Sequence, residues 1–229
     1  MTVKKYIALV CSALCLCAVS CEEKINVSEV SSNESSAASS NDSSEVSEIN
    51  TNEVITPDED SEEYALGSYK LSSGGIKLYN ENDAVSNEIM KALEIYFTSF
   101  QTRDFETYKT CLFPDYAENM EAYLQRDYEY GLLESFESQC DNLESMAGGE
   151  FTITRIRAVP TGEDNLENFF EVLNQGFGTD YYSKVKENSD SLTDLYFSIM
   201  AEANGEETLL ISDFEIVFAE KDGKYYTFG

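Results

Sequence analysis

Hydrophobic and polar positions along the chain change their spacing several times, and each spacing predicts a different element. Tyr64 to Tyr79 holds two short alternating runs around the turn cluster Ser72-Ser73-Gly74-Gly75, which predicts a hairpin. From Ser86 to Gln101 apolar side chains recur at steps of three and four residues, which predicts an amphipathic helix. Asp83 and Ser86 are candidate caps for this helix. Its apolar stripe consists of Ile89, Leu93, Tyr96, Phe97 and Phe100.

Three further helical segments are predicted between this helix and the middle of the chain. Asp104 is the candidate cap of a short helix that runs through Cys111. Pro114 is suited to the first turn of a helix and opens the next segment. Gly131 breaks or bends that segment, and the glycine pair Gly148-Gly149 closes it.

After the glycine pair the pattern alternates instead of following a helical period. Phe151 to Val159 is rich in β-branched residues, so we predict a strand that Pro160 ends. A helix follows, capped by Asp164 or Asn165 and ended by Gly176-Phe177-Gly178. One or two helical turns are then predicted from Asp180 to Glu187.

The C-terminal part of the chain predicts three consecutive antiparallel strands. Leu192 to Ala203 and Thr208 to Ala219 are joined at Asn204-Gly205, which is a strong hairpin signal. A second turn at Asp222-Gly223 leads into the aromatic strand Tyr225 to Phe228. Helices followed by such a meander predict an α+β fold, with the N-terminal helices packed on one face of a curved antiparallel sheet.

Two stretches carry a resemblance to a known family. Ile89 to Tyr108 resembles the opening of a nuclear transport factor two-like (cystatin-like) domain, in which a long helix, an Asp-Phe break and a second helix follow one another. Phe214 to Phe218 and Asp222 to Tyr226 resemble the last two strands of such domains. The segments from Asp115 to Gly148 and from Asp164 to Asn188 depart from the compact family plan. The resemblance implies a cone-shaped sheet around a pocket, in a family that includes isomerases, dehydratases and non-catalytic binding domains.

The segment before the predicted domain has a different composition. From about Val27 to Glu63 it is rich in Ser, Asn and acidic residues, and no aromatic residue lies between Cys21 and Tyr64. Such a composition cannot bury enough apolar surface to offset the entropy of ordering, so we predict a disordered tether over residues 21–63. Residues 64–229 are then predicted to form a single globular domain.

The first 20 residues have the pattern of an export signal. Lys4 and Lys5 precede an apolar run from Tyr6 to Val19 that is too short to span a bilayer. Ala18-Val19-Ser20-Cys21 resembles the lipobox of bacterial lipoproteins, which implies that Cys21 is the lipid-attachment residue. An ordinary secretory signal without a lipid is the alternative. Either way we expect an extracytoplasmic location, and with the lipid an anchor in the cell membrane.

Charge and residue usage exclude several classes of function. The 229 residues carry 15 Lys and Arg against 44 Asp and Glu, a formal net charge of −29, which disfavours nucleic acid as a partner. The absence of histidine from the sequence excludes Ser-His-Asp and Cys-His nucleophile systems and the common zinc ligand sets. We expect no cofactor and no metal. The acidic stretches Asn80 to Asp83 and Glu163 to Asn165 lack the spacing of a calcium loop.

Cys111 and Cys140 allow two interpretations. An exported compartment permits a disulfide between them, and the alternative is two small buried hydrophobic residues. A single unbroken helix from Asp115 to Met146 would keep the two cysteines too far apart for a bond.

Several polar and aromatic residues are candidates for a site. Asp194 and Asp213 interrupt apolar strands and would either face a pocket or point to solvent. Arg155 and Arg157 lie two apart on one strand and would either clamp an anion or pair with surface acids. A set of tyrosines would form either a carbohydrate- or peptide-binding surface or ordinary half-buried packing. This set consists of Tyr123, Tyr128, Tyr130, Tyr181, Tyr182, Tyr225 and Tyr226.

Three functions remain open at this point. The first is a lipid-anchored, non-catalytic domain that binds an unknown protein or small-molecule ligand. The second is a small pocket enzyme, of isomerase or hydrolase type, that works with carboxylate and tyrosine groups. The third is an envelope-assembly or structural role. The sequence carries no catalytic motif, which favours the first.

Overall fold

The computed structural model describes residues 53–80, 84–161 and 165–229. The predicted signal peptide, Cys21 and most of the predicted tether lie outside the described residues. The same holds for the cap candidates Asp83 and Asp164 and for parts of both acidic stretches.

Six α-helices and seven strands make up the described part of the chain. The helices are α1 (Asn87–Gln101), α2 (Phe105–Cys111), α3 (Tyr116–Tyr128), α4 (Leu132–Ala147), α5 (Leu166–Phe177) and α6 (Tyr181–Asn188). The strands are β1 (Val54–Ile55), β2 (Tyr69–Leu71), β3 (Lys77–Asn80), β4 (Phe151–Pro160), β5 (Ser191–Ala203), β6 (Glu206–Lys221) and β7 (Lys224–Thr227). A short 3-10 helix covers Glu62–Leu66. The predicted α+β class, the helices and the C-terminal meander are confirmed.

The strands form one sheet in the order of the sequence, β1 to β7. All neighbouring strands are antiparallel except β3 and β4, where Lys77 lies beside Arg155 and Tyr79 beside Arg157 in a parallel pair. The prediction of a wholly antiparallel sheet is therefore wrong at this pair. Helices α1 to α4 lie between the two strands in sequence, and such a long crossover lets the second strand return in the same direction as the first.

Local signals set most helix ends where they were predicted. The Ser86 side chain accepts a hydrogen bond from the amide of Ile89 at the start of α1, and Asp104 accepts one from Thr107 at the start of α2. Helix α4 ends at Gly148, whose φ of 82° places it in the left-handed region that favours glycine.

One aromatic cluster joins the first helices to the sheet. The Phe97 ring of α1 lies 4.7 Å from that of Phe197 on β5. Phe100, Tyr108 and Phe136, from α1, α2 and α4, have ring centroids 4.8 to 5.3 Å apart. All five side chains are at most 3% exposed, so this cluster is the centre of the core.

A second cluster surrounds Phe228 after the last strand. Its ring lies 5.0 Å from Phe170 of α5 and 5.4 Å from Phe113, which precedes α3. The Phe113 amide donates a hydrogen bond to the Thr227 carbonyl at 2.9 Å, which ties the helical part to the edge strand β7.

The folded part begins before Tyr64. Val54 and Ile55, which fall in the range predicted as a tether, pair with Lys70 and Tyr69 of β2. β-branched residues at both positions favour the extended conformation that this pairing requires.

Among the helices of the described ranges, none combines the length and the apolar composition that a membrane span requires.

Candidate functional site

A cavity in the described domain lies between strand β2 with its flanking loops and helix α1. Its volume is about 750 Å³, within the range that small-molecule sites occupy. We call it the β2–α1 cleft. It is lined by Val54, residues 64–73, Leu78, Tyr79, Asn80, Asn87, Met90, Lys91, Glu94 and Arg157.

Hydrogen bonds hold the two walls of the cleft in place. Lys70 Nζ on β2 donates to Asn87 Oδ1 on α1 at 3.0 Å, which bridges the walls. The Ser72 hydroxyl, in a side chain only 4% exposed, accepts from the amides of Gly74 at 3.2 Å and Ile76 at 3.1 Å. The Ser72 side chain therefore stabilises the turn after β2 by binding its backbone amides, a role that Ser side chains often have in tight turns.

The start of α1 is fixed to the sheet by Asn80. Its Oδ1 accepts from the Val85 amide at 2.8 Å, and its Nδ2 donates to the Val85 carbonyl. Val85 is buried, so this pair anchors the helix at one end of the cleft.

The cleft exposes several large apolar side chains to solvent. Six large hydrophobic side chains of the described residues are exposed, and three of them line this cleft. Val54 is 56% exposed, Tyr64 47% and Leu66 40%. Exposed apolar groups gathered in a concavity are typical of binding sites, whereas scattered single ones are ordinary.

The charge of the cleft is opposite to that of the chain. Among the described residues, its lining includes the cations Lys70, Lys91 and Arg157 and one carboxylate, Glu94. The whole chain carries 15 cations against 44 acids. The cleft is therefore a local concentration of positive charge on a strongly acidic protein.

Tyr79 forms part of the cleft floor. Its side chain is 3% exposed, and its hydroxyl has no hydrogen-bond partner among the described residues. Burial first, and then the Glu63 charge, raise the pKa of Tyr79 to about 12. Its ring lies 5.2 Å from that of Tyr69, so the two tyrosines pack as a pair beside the cleft.

The two candidate arginines have different surroundings. Arg155 pairs with Glu207, with Nε donating to Oε1 at 3.1 Å and Nη2 donating to Oε2. Burial opposes ionisation of Glu207, but hydrogen bonds from Arg155 and Thr154 outweigh it and hold the pKa of that carboxyl below its usual range. Pairing with a surface acid is thus confirmed for Arg155, whereas Arg157 lines the cleft.

Asp194 and Asp213 also differ. Asp213 is exposed at a bulge in β6, has a φ of 48°, and exchanges hydrogen bonds with the Ser198 hydroxyl. The plainer interpretation, that it points to solvent, is confirmed. Asp194 is half-buried, accepts a hydrogen bond from the Thr161 hydroxyl at 2.9 Å, and lies against the carboxyl of Glu215. Solvent exposure is therefore wrong for Asp194.

Glu215 was not predicted as a site residue, although the register of the β5–β6 hairpin indicates that it lies near Asp194. Pairing without bulges from Ala203 and Glu206 would place Glu215 opposite Asp194. Two irregularities shift the register by two residues, so Asp194 lies opposite Val217 and Glu215 is its diagonal neighbour. An even shift keeps both side chains on one face of the sheet.

The predicted tyrosine set belongs to the packing of the domain. Tyr123 and Tyr181 are buried, and the other five members are half-buried. Tyr181 donates to Asp115 Oδ1 at 2.8 Å, and Tyr182 stacks on Phe170 with 4.7 Å between centroids. Packing is thus the right interpretation for this set, and different tyrosines (Tyr64, Tyr69 and Tyr79) line the cleft.

The two cysteines are free thiols in the structure. Cys140 is buried at 2% exposure, and Cys111 is half-buried with its thiol directed to the Thr107 carbonyl at 3.5 Å. Burial raises the pKa of each thiol to about 11. Free, enclosed thiols agree with the second interpretation, two small buried residues, and the disulfide stays a prediction. The segment between them is broken at Gly131, so one long helix does not separate them.

A second cavity is too small for an organic ligand. Its volume is about 30 Å³, far below the roughly 300 to 1,000 Å³ of small-molecule sites, and it lies among Tyr96, Tyr116, Ser135 and Gln139 in the helical core. Within the described ranges no group of three or more Cys, Asp or Glu side chains is arranged to hold a metal ion.

Comparisons with protein-family models, with curated proteins and with solved structures find no match to this chain.

Proposed function

We propose that this protein is a lipid-anchored, extracytoplasmic binding protein whose single domain holds a ligand in the β2–α1 cleft without catalysing a reaction. The observation that carries the proposal is the cleft itself, about 750 Å³ in volume and lined by half of the exposed large hydrophobic side chains described. The anchor is proposed from the lipobox pattern at Ala18-Val19-Ser20-Cys21.

The chemistry of the lining supports binding over catalysis. It includes side chains that hold ligands: the cations Lys70, Lys91 and Arg157, amides, hydroxyls, aromatic rings and apolar groups, with one carboxylate, Glu94, among the described residues. The carboxyl pair with raised pKa values, Asp194 and Glu215, is not part of this lining. This carboxyl pair and the cleft are therefore separate features of the domain.

The proposed route to the surface gives the domain access to extracellular ligands. Two or more acyl chains on Cys21 would hold the protein stably, since each buried methylene contributes about 0.8 kcal/mol. The Ser-, Asn- and acid-rich segment behind Cys21 would separate the domain from the bilayer.

A cleft-filling variant tests the binding function. Ala65 is an exposed cleft residue, and Ala84 is an exposed alanine outside the lining. We expect a thermal-shift screen of sugars, peptides and organic acids to find compounds that stabilise the wild type and Ala84→Trp, but not Ala65→Trp, because a bound ligand stabilises only the folded state that holds it. The proposal fails if no compound stabilises the wild type, or if Ala65→Trp responds like Ala84→Trp.

A further inference from the structure

We infer that the β2–α1 cleft selects an organic anion that carries an apolar or aromatic group beside its negative charge. This inference rests on the proposed binding function of the same cleft and names the chemical class of its ligand.

The charge balance of the cleft is the first argument. Among the described residues of its lining, three of the four charged side chains are cationic, namely Lys70, Lys91 and Arg157, whereas cations are 15 of the 59 charged residues of the chain (15 + 44). A net charge of −29 repels anions from most of the surface, so an anion gains from binding where positive charge is concentrated. A cationic ligand would find more favourable positions almost anywhere else on this protein.

The placement of the three cations is the second argument. Lys70 lies on β2, Lys91 on α1 and Arg157 on β4, so the charges come from three elements and surround one volume. The bond from Lys70 to Asn87 at 3.0 Å fixes one of them at the junction of both walls. The planar guanidinium of Arg157 can present two parallel donors to a carboxylate, phosphate or sulfonate.

The apolar surface of the cleft is the third argument, because it favours a ligand that has an apolar group beside its charge. Val54, Tyr64 and Leu66 are exposed by 56%, 47% and 40% on the same cleft. An inorganic anion would leave these side chains in water, whereas an amphiphilic organic anion would cover them. Charge and apolar area together therefore favour an anion with an apolar body.

Two probes with one aromatic skeleton separate the charge from the apolar contact. They are 8-anilinonaphthalene-1-sulfonate and uncharged N-phenyl-1-naphthylamine, which differ by the sulfonate. The chain contains no tryptophan, so probe fluorescence is free of tryptophan emission. We expect the sulfonate to bind about tenfold more tightly than the neutral probe at low salt, and to lose this advantage as salt screens the cations.

Charge variants locate the effect in the cleft. Lys91→Gln and Arg157→Gln are each expected to weaken sulfonate binding about threefold and to leave the neutral probe unchanged, as removal of one exposed charge does. Lys224→Gln, an exposed cation in β7 outside the lining, is the matched control and is expected to change neither probe. Circular dichroism spectra of all variants should overlay that of the wild type.

The outcomes distinguish this inference from the proposed function. Equal binding of both probes, with no effect of the charge variants, would overturn the anion preference and leave a ligand-binding cleft. Failure of both probes to bind would count against the cleft as a binding site and against the proposed function with it. Sulfonate binding that Ala65→Trp leaves intact would place the probe elsewhere and overturn the inference.

Discussion

The carboxyl groups of Asp194 and Glu215 are diagonal neighbours on one face of strands β5 and β6, close enough for the Asp194 charge to act on Glu215. One oxygen of each, Asp194 Oδ1 and Glu215 Oε1, is buried and has no hydrogen-bond partner among the described residues. Two ionised carboxylates placed side by side repel each other, so we infer that the pair holds one proton between them. Burial raises both pKa values, that of Glu215 to about 7 with the Asp194 charge as the second cause.

The shared proton predicts how stability depends on pH. The ordinary pKa of a glutamate is 4.5 and that of Glu215 in the fold is about 7, so between these values the folded state holds a proton that the unfolded chain has lost. The stabilising effect is complete below pH 4.5 and is lost as the pH rises through 7. Glu215→Gln keeps a neutral donor for Asp194 at every pH. We expect the variant to match the wild type at pH 5 and to exceed it by about 1 to 2 kcal/mol at pH 8, after allowing for solvent screening.

Urea denaturation at pH 5, 6, 7 and 8 measures this difference. Glu206→Gln removes the same charge from an exposed position at the start of β6 and serves as the control. Wild type and Glu215→Gln curves that run parallel across this range would show that Asp194 and Glu215 do not share a proton.

The buried hydroxyl of Tyr181 gives a second prediction. It donates to Asp115 Oδ1 at 2.8 Å and so links the start of α6 to the start of α3. Burial and then this hydrogen bond raise the pKa of Tyr181, so the hydroxyl stays protonated and keeps donating. Tyr181→Phe is expected to lower the free energy of unfolding by about 1 kcal/mol, the usual net value of one hydrogen bond.

Tyr182→Phe is the matched control for that change. Its ring stacks on Phe170, and this packing survives loss of the hydroxyl. We expect its free energy of unfolding to stay within about 0.5 kcal/mol of the wild type. Equal losses in Tyr181→Phe and Tyr182→Phe, measured by urea denaturation, would contradict the assigned hydrogen bond.

The free thiols of Cys111 and Cys140 give a third prediction. With pKa values of about 11, both are almost wholly protonated at pH 7.5, and the thiolate is the reactive species. We expect iodoacetamide to label either cysteine at least about one hundredfold more slowly in the native protein than in urea. Peptide mapping by mass spectrometry measures the labelling of each cysteine. A cross-linked pair of peptides in a non-reduced digest would show that Cys111 and Cys140 form a disulfide.

Local patterns predicted most of the fold because its helices and long strands carry strong periodicity and clear end signals. Ser86 and Asp104 act as caps, and Asn204-Gly205 sets the β5–β6 turn. The parallel pairing of β3 with β4 was not predictable in this way. Strand β3 has four residues, and its partner lies more than seventy positions later, so no local pattern records the pairing.

The candidate site was less predictable than the fold because its residues are distant in sequence. Tyr64 and Lys70, Lys91 and Arg157 meet only after β2, α1 and β4 have packed, and no short motif contains them. Arg157 was a candidate site residue, but the alternating strand sequence around it is the same as that around Arg155. Arg155 pairs with Glu207. Only tertiary structure separates the two arginines.

The proposed lipid anchor at Cys21 gives the last prediction. The residues on either side of Cys21 distinguish it from the other cysteines. Among the four cysteines of the first 21 residues, Cys21 alone follows a small residue, Ser20, and precedes charged residues at once. We expect Cys21→Ala to abolish incorporation of an alkyne-labelled fatty acid. Cys17→Ala is the matched control, because Cys17 follows Leu16 inside the apolar run, and it should keep the label. If Cys21 carries the proposed acyl chains, they supply most of the membrane affinity, and the unlabelled protein should also leave the membrane fraction more readily than the wild type. Labelling that persists in Cys21→Ala, or that disappears equally in Cys17→Ala, would mean that the lipid is attached elsewhere or not at all, and the proposed anchor would have to be abandoned.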